Sequence, residues 1–242
     1  MRPAYQIYRF AWSSLDLFFP PNCGGCGAPG YRLCHSCENK IRILPSSICQ
    51  VCGVVLDHPG LCRSCQISPP SYKALRSWAF YEGPLRSAIH KLKYSGDMSL
   101  GEILARPLYE MWNELDWEVD MITPVPLGLA HHAERGYNQA AFLARPLALR
   151  RGIKYQPRAL KRIRETRSQV GLTYSQRLEN VANAFSSDSN LVRNRIVLVV
   201  DDVTTSGATM ESCSKALIIA GAKSVFGLTL ARTAHPAQSG EI

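Results

Sequence analysis

IVLVVDDVTTSGAT, residues 196 to 209, joins three kinds of segment in a single run. Ile196 to Val200 are continuous and mostly β-branched, the composition of a strand buried on both faces. Asp201 and Asp202 follow, then small and hydroxylated residues: Val203, Thr204, Thr205, Ser206, Gly207, Ala208 and Thr209. Met210, Cys213, Leu217 and Ile218 then recur at helical spacing as far as Gly221, a residue suited to the position just past a helix. Strand, hydroxyl-rich loop and helix N-terminus in that order make a cradle for phosphate. The loop N–H groups are unpaired, the helix dipole favours negative charge, and the hydroxyls add donors. The two carboxylates suit ribose hydroxyls or a magnesium ion, because both seek oxygen acceptors. No Gly-Lys-Ser/Thr follows, so the loop is not a Walker A, and it is not GxGxxG. An ordinary turn with an Asp cap would explain one Asp-Thr pair but not the whole string.

Cysteine spacing sets a second module. Eight of the nine cysteines form four CxxC pairs, Cys23/Cys26, Cys34/Cys37, Cys49/Cys52 and Cys62/Cys65, with gaps of seven, eleven and nine residues. A disulfide framework needs an oxidising compartment. The N-terminal stretch argues against a secretory signal, since Arg9 and Asp16 interrupt its apolar run and no small-residue cleavage site follows. In a reduced cytosol, paired CxxC knuckles are tetrahedral thiolate sites for zinc, with an iron–sulfur cluster as the lesser alternative. The expected arrangement is two four-cysteine sites, Cys23, Cys26, Cys34 and Cys37 on one metal and Cys49, Cys52, Cys62 and Cys65 on the other; spacing leaves interleaved pairing open. Sulfur fills every position, so the metal is structural. About 70 residues this poor in large apolar side chains need it, and structural zinc contributes about 10 to 16 kcal/mol in finger peptides. The ninth cysteine, Cys213, falls on the inward face of a helix and is assigned to packing.

The remaining punctuation divides the chain into residues 1–70, a helix and the ribbon, and 71–242, with the break at the Pro- and Ser-rich stretch 67–71. Leu15, Leu17 and Phe18 are expected to pack a first helix onto the ribbon. Ala74 to Glu82 reads as a strand, and Gly83-Pro84 opens a helix with Leu85, Ala88, Ile89 and Leu92 inward and Lys91 and Lys93 outward. Asp97 is expected to cap a helix carrying Leu100, Ile103, Leu104, Leu108, Met111, Trp112 and Leu115, kinked at Pro107. Val119 to Val125 is a buried strand ending in a two-proline corner, and Asn138 begins a helix with Ala141, Phe142 and Leu147 toward the sheet. Adjacent His131 and His132 are read as solvated. No segment approaches the roughly 18 apolar residues of a membrane span, so the expected location is cytoplasmic.

Charge is concentrated. Residues 128 to 195 hold 13 Lys and Arg against 4 Asp and Glu, a net of +9 that equals the charge of the whole chain. A solvated helix face would alternate signs; this one-signed block fits a polyanion. Its early part, around Arg164 and Arg167, reads as a mobile loop of the kind that closes over phosphates.

The 196–209 string resembles the phosphoribosyl-pyrophosphate (PRPP) motif of type I phosphoribosyltransferases. With the four-CxxC ribbon, the HKLKYSGD stretch, PVPL followed by RGYNQ, and the RETRSQ loop with Arg177 and Asn180, the chain is similar to the ComF (ComFC, GntX) proteins, which are associated with natural transformation. That resemblance covers nearly the whole chain and implies an α/β fold, a parallel sheet flanked by helices behind a small double zinc ribbon. It implies that Asp201 and Asp202 hold the ribose hydroxyls and Val203 to Thr209 the 5′-phosphate. The pyrophosphate would meet Val125, Pro126, Leu127 and Arg135, with Arg164 and Arg167 adding charge beside magnesium. The implied reaction is phosphoribosyl transfer; the alternative is a non-catalytic PRPP or nucleotide sensor that binds single-stranded DNA or DNA-uptake proteins. No base-recognition hood is evident, and Thr233 to Ile242 read as a disordered tail.

Overall fold

The computed structural model describes residues 2–128, 133–165, 176 and 180–234, and of Leu17 the backbone alone. Arg167, Arg177, both adjacent histidines, most of the expected loop and nearly all of the tail lie outside these residues.

Five parallel strands form the main sheet: β1 (Ala74–Phe80), β2 (Met121–Pro124), β3 (Lys154–Tyr155), β6 (Ile196–Thr204) and β7 (Ser224–Arg232), in the order β1-β7-β6-β2-β3. A separate antiparallel pair, β4 (Leu160–Arg162) and β5 (Phe185–Ser187), stands beside it. Parallel strands need crossover helices, and here these cover both faces. On one face α4 (Gly83–Tyr94), α5 (Leu100–Asn113) and α6 (Gln139–Arg151) pack on Ile122, Leu198, Val200, Leu228 and Leu230. On the other, α8 (Ala208–Ile219), following the single turn α7 (Ser189–Val192), packs with β4 and β5 on Leu75, Met121, Val197, Val199 and Val225. Residues of β6 therefore alternate between two cores, which is why the run from Ile196 is apolar at every position.

Several expectations hold and some shift. Leu85, Ala88, Ile89 and Leu92 of α4 are fully buried, as are Leu100, Leu108 and Trp112 of α5. Helix α5 starts after Ser99, whose hydroxyl donates to Asp97 Oδ1 at 2.7 Å, so Asp97 braces the turn without capping the helix. Asn138 does cap α6 through Ala140 N–H, but the residues facing the sheet are Ala140, Leu143, Ala144 and Leu147. Phe142 instead meets the edge of Trp12. Ile218 of α8 lies on its outer side, 38% exposed.

The first helix, α1 (Pro3–Phe18), docks differently from expectation. Leu15 and Phe18 are exposed, at 48% and 79%. The helix turns Tyr5, Tyr8 and Trp12 toward α5 and α6 instead: Tyr5 donates to Glu102 at 2.8 Å and Trp12 packs on Phe142. Aromatic groups bury more surface per contact than Leu15 could, and the Tyr5 hydroxyl finds a partner in Glu102. The Asp16–Arg32 ion pair, 2.8 Å, ties the helix to the ribbon.

The ribbon, with short helices α2 (His35–Glu38) and α3 (Arg63–Ile67), is stitched to the sheet. Ile43 bridges Ala79 antiparallel, Phe80 N–H donates to Arg42 O at 2.9 Å and Leu44 N–H to Trp78 O at 3.1 Å. The stretch between the two cysteine groups thus covers the outer edge of β1, an edge that would otherwise offer free backbone groups. Trp112, fully buried at the centre of the α5 face, is expected to cost about 3 to 5 kcal/mol on Trp112→Ala. Urea unfolding measures this, and a loss below about 1 kcal/mol would count against the packing described.

Candidate functional site

In an open parallel sheet, ligands bind beyond the C-terminal ends of the strands, where the strand order reverses. Here the chain leaves β2 toward β3 on one side and leaves β6 toward β7 on the other, so the reversal lies between β2 and β6. These strands pair from Met121 with Val197 to Pro124 with Val200, and Val125 N–H donates to Val200 O at 2.9 Å. At this end, where the crevice lies, Val125, Pro126 and Leu127 follow β2, and Asp201 to Thr209 close β6 and lead into the next helix.

Two helices point their N-termini at this crevice. Gly207, at φ +82°, turns the chain into α8; the left-handed conformation is one that only glycine takes cheaply. An added Cβ there would also lie 3.3 Å from the Tyr72 hydroxyl. Ala208 N–H donates to Ser206 Oγ at 3.4 Å, and Ser71, from its backbone N–H and its hydroxyl, donates to the Glu211 carboxylate at 2.7 and 2.8 Å. Across the crevice, Asn138 caps α6 and its amide nitrogen donates to Val125 O at 2.9 Å, anchoring the corner after β2.

The two aspartates are not equivalent. Asp202 is 3% exposed and turns to the α4/α6 side, where Lys93 Nζ forms an ion pair with Oδ2. Burial alone would raise its pKa. The Lys93 charge, with hydrogen bonds from Lys93, Asp201 and Gln139, holds it below the usual carboxylate range instead. Asp201 is pushed well up, first by burial and then by the Asp202 charge beside it. Burial would lower Lys93, but Asp202 leads the charges that raise it. Burial and the neighbouring charges thus set the two side chains apart, Asp202 held toward its ionised form and Asp201 toward its protonated one.

The expected outward position of Lys93 is wrong, since it turns inward to Asp202, and the sequence reading gives Gln139 no role. Lys93 lies four residues after Ile89 and eight after Leu85, both fully buried, so it sits at the edge of the inward stripe rather than on the outer face. That spacing was the available signal. Gln139, 6% exposed, opens α6 directly after its cap. Arg135 donates to Gln139 Oε1 at 3.2 Å and to the Tyr94 hydroxyl at 3.0 Å, so it lies one side chain away from Asp202. Arg164 is elsewhere: its guanidinium donates to Asn180 O and Ala182 O, at 2.9 and 2.7 Å. It braces the strand pair in this conformation.

The cysteines gather sequentially, Cys23, Cys26, Cys34 and Cys37 in one group and Cys49, Cys52, Cys62 and Cys65 in the other, so the interleaved alternative falls away. Sulfur separations of 3.7 Å for Cys26–Cys34 and 3.6 Å for Cys52–Cys62 match the roughly 3.8 Å edge of a tetrahedron with about 2.3 Å zinc–sulfur bonds. Cys34 N–H points at Cys23 Sγ at 3.3 Å, and Cys62 N–H at Cys49 Sγ at 3.4 Å. Burial opposes ionisation of Cys23 and Cys49, yet such backbone donors bring both down to about 6. Each group therefore presents a thiolate before metal arrives, and the donor set fits structural zinc. Protein purified without chelators should carry about two zinc ions per chain by elemental analysis, and Cys23→Ser with Cys26→Ser about one. Metal-free protein that keeps its melting temperature would overturn the assignment.

Comparison with known proteins agrees with both halves. Residues 14–66 match the double zinc ribbon domain and residues 109–240 the phosphoribosyl transferase domain. The DNA utilization protein YhgH of Salmonella typhi is 31% identical over 90% of this chain and 99% of its own. Competence protein F of Haemophilus influenzae is 32% identical over 83% and 90%, and competence protein ComFC of Bacillus subtilis 24% identical over 85% and 86%. With a parallel sheet, a ribbon of two four-cysteine zinc-binding sites and relatives that match it almost end to end, the chain belongs to the ComF family of double-zinc-ribbon phosphoribosyl transferase proteins.

Proposed function

We propose that the crevice between β2 and β6 binds PRPP with magnesium and that the chemistry it supports is phosphoribosyl transfer. The observation that carries this reading is the meeting of an aspartate pair with two helix N-termini at the reversal of strand order. Thr204 to Thr209 hold the 5′-phosphate, Asp201 and Asp202 the ribose hydroxyls, and Val125, Pro126, Leu127 and Arg135 the pyrophosphate. Asp202 is already paired with Lys93, so the two aspartates form no cage for a bare cation. Magnesium would ride on the diphosphate oxygens, its common habit, and supply charge neutralisation there. Loss of pyrophosphate builds positive charge on the ribose, and Asp202, ionised and fixed, lies where it stabilises that charge. Arg135 neutralises the leaving group, joined by Arg164 once it leaves its two carbonyls, and by Arg167.

Calorimetry with PRPP and magnesium tests this. Wild-type protein should bind in the micromolar range, about −8 kcal/mol, and Asp201→Ala with Asp202→Ala should abolish the heat of binding. Equal binding by the double variant would remove the aspartates from the site.

The relatives' names, DNA utilization and competence proteins, support a role for this chain in handling DNA, which we propose is exercised in the cytoplasm, beside DNA-uptake proteins, during natural transformation. Arg158, Lys161, Arg193 and Arg195 are all exposed within the basic stretch and supply phosphate contacts to single-stranded DNA. Binding of a labelled oligonucleotide should weaken steeply with salt, and Arg158→Ala with Lys161→Ala should reduce the slope of log K against log salt by about 1 to 2. An unchanged slope would exclude these residues from the interface.

A further inference from the structure

We propose that Lys93 is a positioning residue of the PRPP site: it holds Asp202 where the carboxylate meets the ribose, and Gln139 joins that carboxylate to Arg135 on the pyrophosphate side. The inference rests on the reading of the crevice as a PRPP site.

A closed circuit of side chains carries it. Lys93, in the last turn of α4, pairs with Asp202 of β6. Gln139, buried in the first turn of α6, is among the groups that hold the Asp202 pKa down. The amide oxygen of Gln139 accepts from Arg135, and Arg135 donates onward to Tyr94, the neighbour of Lys93, while stacking 4.6 Å from its ring. The circuit returns to α4 after passing through both residues expected to face the ligand. Asp202 Oδ2 is buried and has the Lys93 ammonium as its partner. Lys93 has lost most of its solvent, its side chain being 19% exposed. An ammonium ion is brought to that depth only against a charge.

Two roles predict different things. A tie that merely fastens α4 to the sheet affects stability alone. A positioning role affects how the folded protein binds PRPP, because without its cation the buried Asp202 takes a proton and no longer accepts from the ribose. The other titratable or charged groups facing this pair are Asp201 from β6, Tyr81 from the end of β1, and Arg135 through Gln139.

Calorimetry on full-length, zinc-loaded protein with PRPP and magnesium separates them. At about pH 7.5, Lys93→Met should weaken binding about tenfold or more, with Lys93→Arg recovering most of the loss. In an Asp202→Asn background, Lys93→Met should cost nothing further. The affinity of Lys93→Met should also fall as pH is lowered through the neutral range, where wild type stays level, because an uncompensated buried carboxylate protonates there. Unchanged affinity in folded Lys93→Met beside a wild type that binds overturns the inference and leaves the site intact. Failure of wild type to bind overturns the PRPP reading and this inference with it. Should Lys93→Met not fold, Gln139→Met is read in its place: a loss of several-fold supports the circuit, and wild-type affinity overturns it.

Discussion

A carboxylate buried at the end of a parallel strand stays ionised only beside a cation, and Asp202 has Lys93. Much of the domain's upper surface follows from that one pair. It fixes the last turn of α4 above β6 and brings Gln139 and the start of α6 against the same point. With α4 and α6 set, the corner after β2 has one place to go, and Asn138 pins it through Val125. The crevice owes its shape to polar contacts at its rim and to apolar packing only below them.

The ribbon contributes to the same region from the opposite edge. Arg232, 4% exposed at the end of β7, donates to Cys52 O, and Arg76 of β1 donates to Gln50 O at 2.9 Å. Four thiolates on zinc carry a net charge of about −2, which two neighbouring guanidinium groups offset. Arg232 is also the register partner of Thr204, the last residue of β6, and Thr233 N–H donates to Thr204 O at 3.1 Å. From the second cysteine group to the head of the loop that opens α8 is therefore one strand's width. Tyr72 beside Gly207 and Ser71 on Glu211 add two more links from the ribbon's exit to α8. The zinc module works as a clamp on the sheet that displays the loop.

What could be read from the sequence was what local periodicity encodes. The doubly buried β6, the CxxC groups, the inward faces of α4 and α5 and the cap at Asn138 each follow from a rule that spans a few residues. What could not be read depends on contacts between distant segments. The edge pairing of Ile43 with Ala79 has no signal in either stretch. The first helix offered both an aliphatic and an aromatic face, and the choice of Tyr5 and Trp12 was made by Glu102 and Phe142, far along the chain. In the same way the motif gave two adjacent aspartates as a pair of equals. Only the fold supplies a lysine to one of them.

That inequality has a consequence for pH. Asp202 sits below its unfolded pKa of about 3.9, so the stability it contributes is present above that value and is lost as pH falls through its folded one. Lys93 sits above its unfolded pKa of about 10.4, so its contribution is present below that value and is lost as pH rises through its folded one. The pair is therefore intact across the whole range between, and neutral pH lies well inside it. Asp201 runs the other way: raised in the fold, it is held as an acid and becomes costly to ionise as pH rises. Asp202 is thus the stronger acceptor of the pair and Asp201 the one that holds a proton more tightly. A ligand that brought a second full negative charge to Asp202 would be opposed, whereas a neutral sugar ring with its charges at either end, toward the loop of α8 and toward Arg135, is not.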